Sequence, residues 1–251
     1  DLNDICKPIR CRYFSPASFA SARPKNNQSH FSLLHSNIRS LKHNFENLQT
    51  HLLCELKFNF SVIGLSETRI YNSTASDSIP MLPNYKFESV PTPLSAGGVG
   101  MYIDENLNYT VVERITNEAF QALWVQIEVS PKRNVLCCVT YRQHNSPESF
   151  LDYFEDALVR FSATGKPIYV LGDININILR AKTCNYSQKF LSCLQSFALM
   201  PTIDKPTRVY SNSATLIDNI FTNKLDDYFA SGNIVSDITD HFSQFLILQS
   251  L

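Results

Sequence analysis

The chain alternates short apolar runs with longer stretches in which apolar residues recur every three or four positions. The short runs are bounded by polar residues or glycine, which is typical of β-strands. The longer stretches place leucine and phenylalanine on one face at helical spacing. We predict strands at 31–35, 60–65, 98–103, 109–114, 122–129, 135–141, 167–171, 208–210, 216–222 and 245–248, and helices at 41–56, 148–161 and near 187–197.

The order of these elements indicates an α/β protein with mixed sheets. Strands between 98 and 141 follow one another with hairpin-like spacing, whereas helices separate several of the others, so a strictly doubly wound sheet is not expected. Residues 1–30 are rich in Ser, Pro and Asn and have no periodicity. We therefore predict a linker or poorly ordered arm over 1–30 and one large domain over 31–251.

Composition and charge restrict the possible partners and compartments. The net charge is -1, so any contact with nucleic acid requires a local basic surface or a cleft neutralised by metal. The seven cysteines include no Cys-x-x-Cys pair, which favours reduced thiols and a nuclear or cytoplasmic location. No apolar run has transmembrane length, so we expect no membrane association. The start at Asp1 has neither a Met nor a signal peptide, and we expect a segment of a longer protein.

One tetrapeptide carries the strongest chemical signal. Gly172-Asp173-Ile174-Asn175 follows the apolar run 167–171, so a buried strand delivers it to the rim of a sheet. Asp173 and Asn175 are two residues apart and leave the strand end on the same side. A carboxylate there can accept a proton or bind a hard cation, and an amide can donate to an oxyanion. A purely structural role is also open, in which Asp173 only forms a turn or caps a helix.

Further polar residues recur where other predicted strands end, namely Asn37, Glu67, Tyr141, Asp218 and the pair Asp240-His241. If these ends meet at one rim, the cleft contains several carboxylates that repel one another, which calls for a divalent cation. Oxygen ligands favour Mg²⁺ or Mn²⁺, and no Cys or His pair has the spacing of zinc ligands.

Each residue of this set also has a purely structural interpretation, which the sequence leaves open. Gly97-Gly98-Val99-Gly100 predicts a tight turn more than a phosphate-binding loop, because no helix pattern follows it. For the polar residues the structural alternatives are as follows. Glu67 could be a solvated loop acid, Asn37 a helix cap and Tyr141 a core aromatic. Asp218 could be a strand acid paired with Arg208 or Lys224, and His241 a core or surface histidine.

Taken together and in this order, the motifs resemble the endonuclease/exonuclease/phosphatase superfamily, and within it the apurinic/apyrimidinic-type endonuclease domain of non-LTR (LINE) retrotransposons. The resemblance covers about residues 31–250. It rests on Ser36-Asn37-Ile38-Arg39-Ser40-Leu41, Leu65-Ser66-Glu67-Thr68, Gly97-Gly98-Val99-Gly100, Tyr141-Arg142, Gly172-Asp173-Ile174-Asn175-Ile176-Asn177, Pro206-Thr207-Arg208, Leu216-Ile217-Asp218-Asn219-Ile220-Phe221 and Asp240-His241. Two departures are Ile174, where Phe or Met is commoner, and Gln143-His144, where Pro-Pro is frequent.

The resemblance implies a four-layer α/β sandwich with two packed mixed sheets, like deoxyribonuclease I, and Mg²⁺-dependent phosphodiester hydrolysis. It implies these roles: Glu67 as metal ligand with Asn37 beside it and Asp240 near the metal; Asp173 positioning the attacking water; Asn175 and Tyr141 contacting the phosphate; His241 stabilising or protonating the phosphorane, oriented by Asp218; and Thr207 as a phosphate or supporting contact.

The resemblance further implies a DNA-nicking enzyme of a retroelement polyprotein. Its partners would be double-stranded DNA and a reverse transcriptase domain of the same polyprotein. The 3′-hydroxyl left at the nick would prime reverse transcription by that domain. Arg39, Arg142 and Arg208 lie within a few residues of the proposed catalytic groups, and we predict that they bind backbone phosphates. Two competing functions stay open: a phosphatase or RNA exonuclease of the same fold, and a catalytically silent binding module.

Overall fold

The computed structural model describes residues 11–24, 30–144, 146, 149–226 and 228–249. The helices are α1 (Leu41–Glu46), which continues into a π-helical segment (Asn47–Cys54), α2 (Ser149–Ser162) and α3 (Asn185–Ser196), with 3₁₀ turns at Ser18–Ala22, Ser76–Ser78 and Ile178–Arg180. The strands are β1 (Arg12–Phe14), β2 (His30–Asn37), β3 (Val62–Ser66), β4 (Tyr85–Val90), β5 (Val99–Asp104), β6 (Asn108–Thr116), β7 (Phe120–Ser130), β8 (Arg133–Arg142), β9 (Ile168–Asp173), β10 (Met200–Pro201), β11 (Arg208–Tyr210), β12 (Ser213–Thr215), β13 (Asp218–Thr222), β14 (Tyr228–Ile234) and β15 (Ser243–Gln249).

Two large mixed sheets form the centre of the fold. The first has the order β1-β14-β15-β2-β3-β5-β4, and the second has the order β10-β13-β9-β8-β7-β6. The central strands β2 and β3 are parallel, as are β8 and β9, so each sheet has a central pair whose carboxyl ends meet at the same rim. The hairpin β11-β12 stands apart from both sheets.

Three apolar clusters separate the layers of this sandwich. One lies between the sheets and contains Leu33, Leu123 and Leu171. The second packs the π-helical segment and α1 on the outer face of the first sheet, and the third packs α2 and α3 on the outer face of the second sheet. Adjacent Cys137 and Cys138 point into different clusters, as strand alternation requires. The predicted four-layer α/β sandwich is therefore confirmed.

Part of the predicted N-terminal arm is folded against the first sheet. Strand β1 pairs in parallel with β14, and the Phe19 side chain is fully buried with its ring 5.0 Å from that of Phe245. For residues 11–24 the prediction of a linker or poorly ordered arm is therefore wrong. No sequence pattern indicates this order, because a three-residue strand and one buried aromatic are too short to produce a periodic pattern. Residues 1–10 and 25–29 of that arm lie outside the described residues.

Within the described residues, no helix is long and apolar enough to cross a membrane. The described cysteines, which are Cys11, Cys54, Cys137, Cys138, Cys184 and Cys193, are free thiols. Burial raises the pKa of the Cys11 thiol to about 12, so this side chain is protonated at neutral pH and packs as a small apolar group.

Candidate active site

The strand ends predicted to carry chemistry meet at one rim. Asn37 is the last residue of β2, and Glu67 directly follows β3 on the same sheet. On the second sheet Asp173 is the last residue of β9, and its backbone pairs with Tyr141 of β8 on one side and Asp218 of β13 on the other. The sheet register alone therefore places three of the predicted residues side by side.

Asn37 connects the two sheets. Its side-chain Nδ2 donates to Glu67 Oε1 at 3.0 Å and to Asp173 Oδ2 at 2.9 Å. Its Oδ1 accepts from the Arg39 backbone N at 3.2 Å. Asn37, Glu67 and Asp173 are all buried. One amide thus fixes the relative position of two carboxylates that belong to different sheets, and the proposed helix-cap role of Asn37 is not what its contacts show.

The loop after β3 presents Glu67 in a left-handed backbone conformation, with φ 52°. Gly97 and Gly98, also at positive φ, hold this loop because their carbonyls accept from Arg69 N at 2.9 Å and Thr68 N at 3.1 Å. A Cβ on Gly98 would lie 2.7 Å from Thr68 Oγ1, so only glycine fits there. The expected tight turn is not what the structure shows, because Gly97 and Gly98 lead directly into β5 and their carbonyls support the Glu67 loop.

His241, Asp218 and Thr207 form a buried hydrogen-bonded chain. His241 Nδ1 lies 3.1 and 3.0 Å from the two carboxylate oxygens of Asp218. Thr207 Oγ1 donates to Asp218 Oδ2 at 2.7 Å and accepts from the Asp218 backbone N at 3.1 Å. Because Asp218 engages Nδ1, the imidazole is oriented with Nε2 as its remaining nitrogen. The proposed pairing of Asp218 with Arg208 or Lys224 is wrong, since those residues pair with Asp240 and Asp226.

The charges of this group perturb one another strongly. Burial, together with the charge of Asp218, raises the pKa of Asp173 well above its usual range. Burial alone would lower the pKa of His241, but Asp218 and other nearby carboxylates raise it to about 9. Burial would raise the pKa of Asp218, yet His241 outweighs it and holds that pKa below the ordinary value. At neutral pH the site therefore holds an imidazolium beside carboxylates, which is the pattern of an acid–base site.

The donor set fits a hard divalent cation. Glu67 and Asp173 offer carboxylate oxygens that the Asn37 amide holds together, next to the close group formed by Asp173, Asp218 and His241. Burial and the charge of Asp218 both raise the pKa of Asp173, and a cation would relieve the repulsion between the carboxylates. Oxygen donors of this kind are those that Mg²⁺ or Mn²⁺ uses.

Asn175 and Tyr141 complete the rim. Asn175 is in a left-handed conformation, with φ 49°, and its backbone N donates to Asp173 Oδ1 at 3.0 Å. Burial, and the charges of Glu67 and Asp173, raise the pKa of the Tyr141 phenol, while Arg69 and a hydrogen bond from Asn175 oppose this shift. Tyr141 is 4% exposed, so it is both a packed aromatic and a neighbour of the carboxylates.

Asp240 has a different position from the one predicted. We expected it near the metal, but Arg39 Nη1 lies 2.7 Å from its Oδ1, and Arg208 Nε lies 2.8 Å from its Oδ2. These guanidinium groups, which oppose the effect of burial, hold the pKa of Asp240 below its ordinary value. The Arg39 and Arg208 side chains are 37% and 36% exposed. Asp240 is thus the shared ion-pair partner of two arginines at the rim, because the loop after β2 and the first residue of β11 converge on it.

Two residues predicted to contact substrate are turned into the protein. Thr207 is fully buried beneath Asp218, so it supports that carboxylate and is not available to a phosphate. Arg142 is 5% exposed and its guanidinium contacts backbone carbonyls. The predicted phosphate-binding role of Arg142 is therefore not what its contacts show, because this last residue of β8 directs its side chain into the protein, against the Asn175 carbonyl.

The sequence analysis missed two supporting residues. Fully buried His35 contacts Gln244 Oε1 through Nδ1 at 2.7 Å and Ser66 Oγ through Nε2 at 3.1 Å, behind the Glu67 loop. A histidine directly after the apolar pair Leu33-Leu34 was the available signal. Thr239 Oγ1 donates to the Asn37 carbonyl at 3.1 Å and accepts from His241 N at 3.1 Å. No spacing in the sequence distinguishes this threonine.

Several solved structures of other proteins superpose on this chain. The chain superposes on the AP endonuclease LMAP from Leishmania major with a TM-score of 0.71 at 11% identity, covering 99% of this chain and 95% of that one. The endonuclease domain of TRAS1, a telomere-specific non-LTR retrotransposon, gives 0.63 at 11% identity over 88% and 98%. The 3′ phosphatase NExo from Neisseria, bound to a product DNA hairpin, gives 0.61 at 14% identity over 88% and 100%. At such low sequence identity, these superpositions show a shared fold.

The sequence itself supplies the family. No curated protein sequence matches the chain. A family model described as "Endonuclease/Exonuclease/phosphatase family" matches residues 24–241, which span every residue of the site described above. The chain belongs to the endonuclease/exonuclease/phosphatase family.

Proposed function

We propose that this domain is a Mg²⁺- or Mn²⁺-dependent endonuclease that nicks double-stranded DNA. The observation that carries the proposal is the pair of hydrogen bonds from Asn37 to Glu67 and Asp173, opposite an imidazole fixed by Asp218. In this arrangement one rim would hold a cation-binding carboxylate, a proton acceptor and a proton donor. Those are the groups that phosphodiester hydrolysis requires.

Glu67, with Asn37 and Asp173 beside it, would hold the metal ion. When bound there, the cation neutralises charge that develops on the phosphoryl and leaving oxygens. Asn37 keeps Glu67 and Asp173 at a fixed separation, and the carbonyls of Gly97 and Gly98 hold the backbone of the Glu67 loop. Arg69 Nη2, 3.5 Å from Glu67 Oε2, limits the motion of the carboxylate further.

Asp173 is the group that orients and deprotonates the attacking water. A carboxylate with a raised pKa is a better base near neutral pH than an ordinary one. Its Oδ2 accepts from Asn37 and its Oδ1 from the Asn175 backbone, so both oxygens are held in place. Asn175 and Tyr141, next to Asp173 on the rim, are positioned to hydrogen-bond the phosphate.

His241 is the donor on the opposite side of the site. Its raised pKa keeps it protonated at neutral pH, and Asp218 fixes the ring through Nδ1. Nε2 can then donate a hydrogen bond or a proton to the phosphorane as negative charge develops. Removing one such preorganised donor typically costs about 3–4 kcal/mol of transition-state stabilisation.

The two partly exposed arginines at the rim support duplex DNA as the substrate. Arg39 and Arg208 share Asp240, yet each guanidinium retains N–H groups directed to solvent or substrate, since Arg offers five donors. The motifs and the structural likeness to a retrotransposon endonuclease domain support a retroelement origin. In that setting the nick would leave a 3′-hydroxyl that primes a reverse transcriptase domain of the same polyprotein. Such a protein acts in the nucleus or the cytoplasm.

The test is incubation of the purified domain with supercoiled plasmid and Mg²⁺. We expect relaxed circles with 3′-hydroxyl and 5′-phosphate ends, and no relaxation by Asp173→Asn. Release of phosphate from soluble monoesters, with plasmid left supercoiled, would instead assign a phosphatase, as the likeness to NExo allows. Absence of both activities in a folded domain would assign a binding module.

A further inference from the structure

Arg142 is a buried cation whose surroundings were not expected from the sequence. Its side chain is almost fully enclosed, and its guanidinium carbon lies 5.0 Å from the centre of the Tyr186 ring in α3. Nη2 donates to the Ser146 carbonyl at 2.9 Å, and Nη1 makes longer contacts to the carbonyls of His144 and Asn175, at 3.5 and 3.4 Å. One planar group therefore joins the loop after β8 to the Asn175 loop and to the Tyr186 ring of α3.

The contacts between Arg142 and Asn175 are reciprocal. Asn175 Nδ2 donates to the Arg142 carbonyl at 2.7 Å, while Arg142 Nη1 contacts the Asn175 carbonyl. Asn175 also has a left-handed backbone, which costs free energy in a non-glycine residue and persists only where neighbours enforce it. Arg142 thus fixes both the side chain and the backbone of a residue that lies beside Asp173 on the rim.

We infer that Arg142 is a positioning residue that sets the geometry of Asn175 for the reaction, and that it does not contact DNA. This inference rests on the proposed function, in which Asn175 hydrogen-bonds the phosphate. The geometry needs arginine in particular, because lysine keeps the charge but has neither the planar fork nor the flat face that stacks on Tyr186.

The test is a double-mutant cycle in plasmid nicking with Arg142→Lys, Asn175→Ala and the double variant. We expect Arg142→Lys to lower kcat about 10- to 100-fold, the scale expected when a reacting group is displaced by about 1 Å. KM and the salt dependence of DNA binding should not change, and Arg142→Lys should cost nothing further once Asn175 is alanine. Equal losses in both backgrounds, or a weaker salt dependence, would overturn the inference.

Two sets of control variants separate positioning from folding. Arg114→Lys alters an exposed arginine paired with Glu88 on β4, so it should retain parental kcat. Tyr186→Phe removes a buried hydroxyl that has no hydrogen-bond partner and should also retain it, whereas Tyr186→Leu removes the stacking face and should lower kcat. If Tyr186→Leu retains full kcat with an unchanged melting temperature, stacking does not position the guanidinium and this inference fails.

A readout independent of activity distinguishes this inference from the proposed function. The side-chain amide signal of Asn175, assigned by its loss in Asn175→Ala, should shift in the NMR spectrum of Arg142→Lys and not in that of Arg114→Lys. A parent that does not cut DNA would contradict the proposed function alone. An Asn175 amide signal that is unmoved in Arg142→Lys would contradict the positioning role, whatever the activity.

Discussion

Asp173 and Asp218 occupy directly paired positions on the neighbouring strands β9 and β13, and both carboxyl groups are buried. Their pKa values move in opposite directions. Burial and the charge of Asp218 raise the pKa of Asp173, whereas the charge and hydrogen bond of His241 outweigh burial and lower the pKa of Asp218. Two carboxylates in one register pair thus become different chemical groups. This separation is what allows one to act as a base while the other stays ionised beside an imidazolium.

The pairing of His241 with Asp218 should make the stability of the domain pH-dependent. The pKa of His241 is raised to about 9 in the folded protein and is near 6.5 in an unfolded chain. A raised pKa gives stabilisation that is complete below pH 6.5 and lost as the pH rises through about 9. We therefore expect Asp218→Asn to destabilise the domain more at pH 6 than at pH 10, by a difference on the order of 2–3 kcal/mol.

Urea unfolding in the presence of a chelator measures this difference. The chelator is needed because a bound cation would itself change the titration of the site. In acid the lowered pKa of Asp218 acts in the other direction, so the stabilisation is lost as the pH falls through that value. An equal effect of Asp218→Asn at pH 6 and pH 10 would show that no proton is linked to this pair.

His241 and Asp218 should also behave as one unit in catalysis. We expect His241→Ala and Asp218→Ala each to lower the nicking rate by at least about 10²-fold, the scale of a positioned proton or oxyanion donor. The double variant should cost far less than the sum of the two, since Asp218 acts through the ring it orients. Near-normal cleavage by His241→Ala would show that the imidazole is not the donor.

The sequence contains the positions of the site residues but not the directions of their side chains. The apolar runs place Asn37 and Asp173 at strand ends, but they do not predict that these ends meet at one rim beside Asp218, because periodicity does not record how the sheets pack. The pairing of Asp240 with Arg39 joins loops that are distant in the chain, so no local pattern records it. The inward direction of Arg142 depends on Tyr186 of α3, a neighbour supplied by tertiary packing.

Strand β14 shows the same limit for the fold. Its Asn233 is fully buried, and Nδ2 donates to the carbonyl of Pro206 at 3.2 Å. A polar residue in an interior position breaks the alternation by which strands are recognised. β1 was missed because it is only three residues long and pairs only with β14.

Glu67 and Asp240 should differ in their effect on the metal requirement. Glu67→Gln removes the charge of a carboxylate held by Asn37, so we expect the Mg²⁺ concentration for half-maximal nicking to rise at least about 10-fold. Asp240→Asn removes the partner of two arginines and should change that concentration little. A rise of equal size in both variants would restore Asp240 as a ligand. Full activity in excess chelator would exclude the metal altogether.

Arg39 and Arg208 should contribute to DNA binding through backbone phosphates. Their ion pairs with Asp240 are partly exposed, and such pairs are worth little, so a phosphate can compete for either guanidinium. We expect Arg39→Gln and Arg208→Gln to weaken binding to any duplex sequence and each to reduce the slope of log affinity against log salt by about one.

Arg114→Gln, on strand β6 at the far edge of the second sheet, is the matched control and should keep the parental slope. Binding titrations at several salt concentrations with two unrelated duplexes measure both quantities. If one arginine variant loses affinity for only one duplex at a constant slope, that arginine reads bases instead of phosphates.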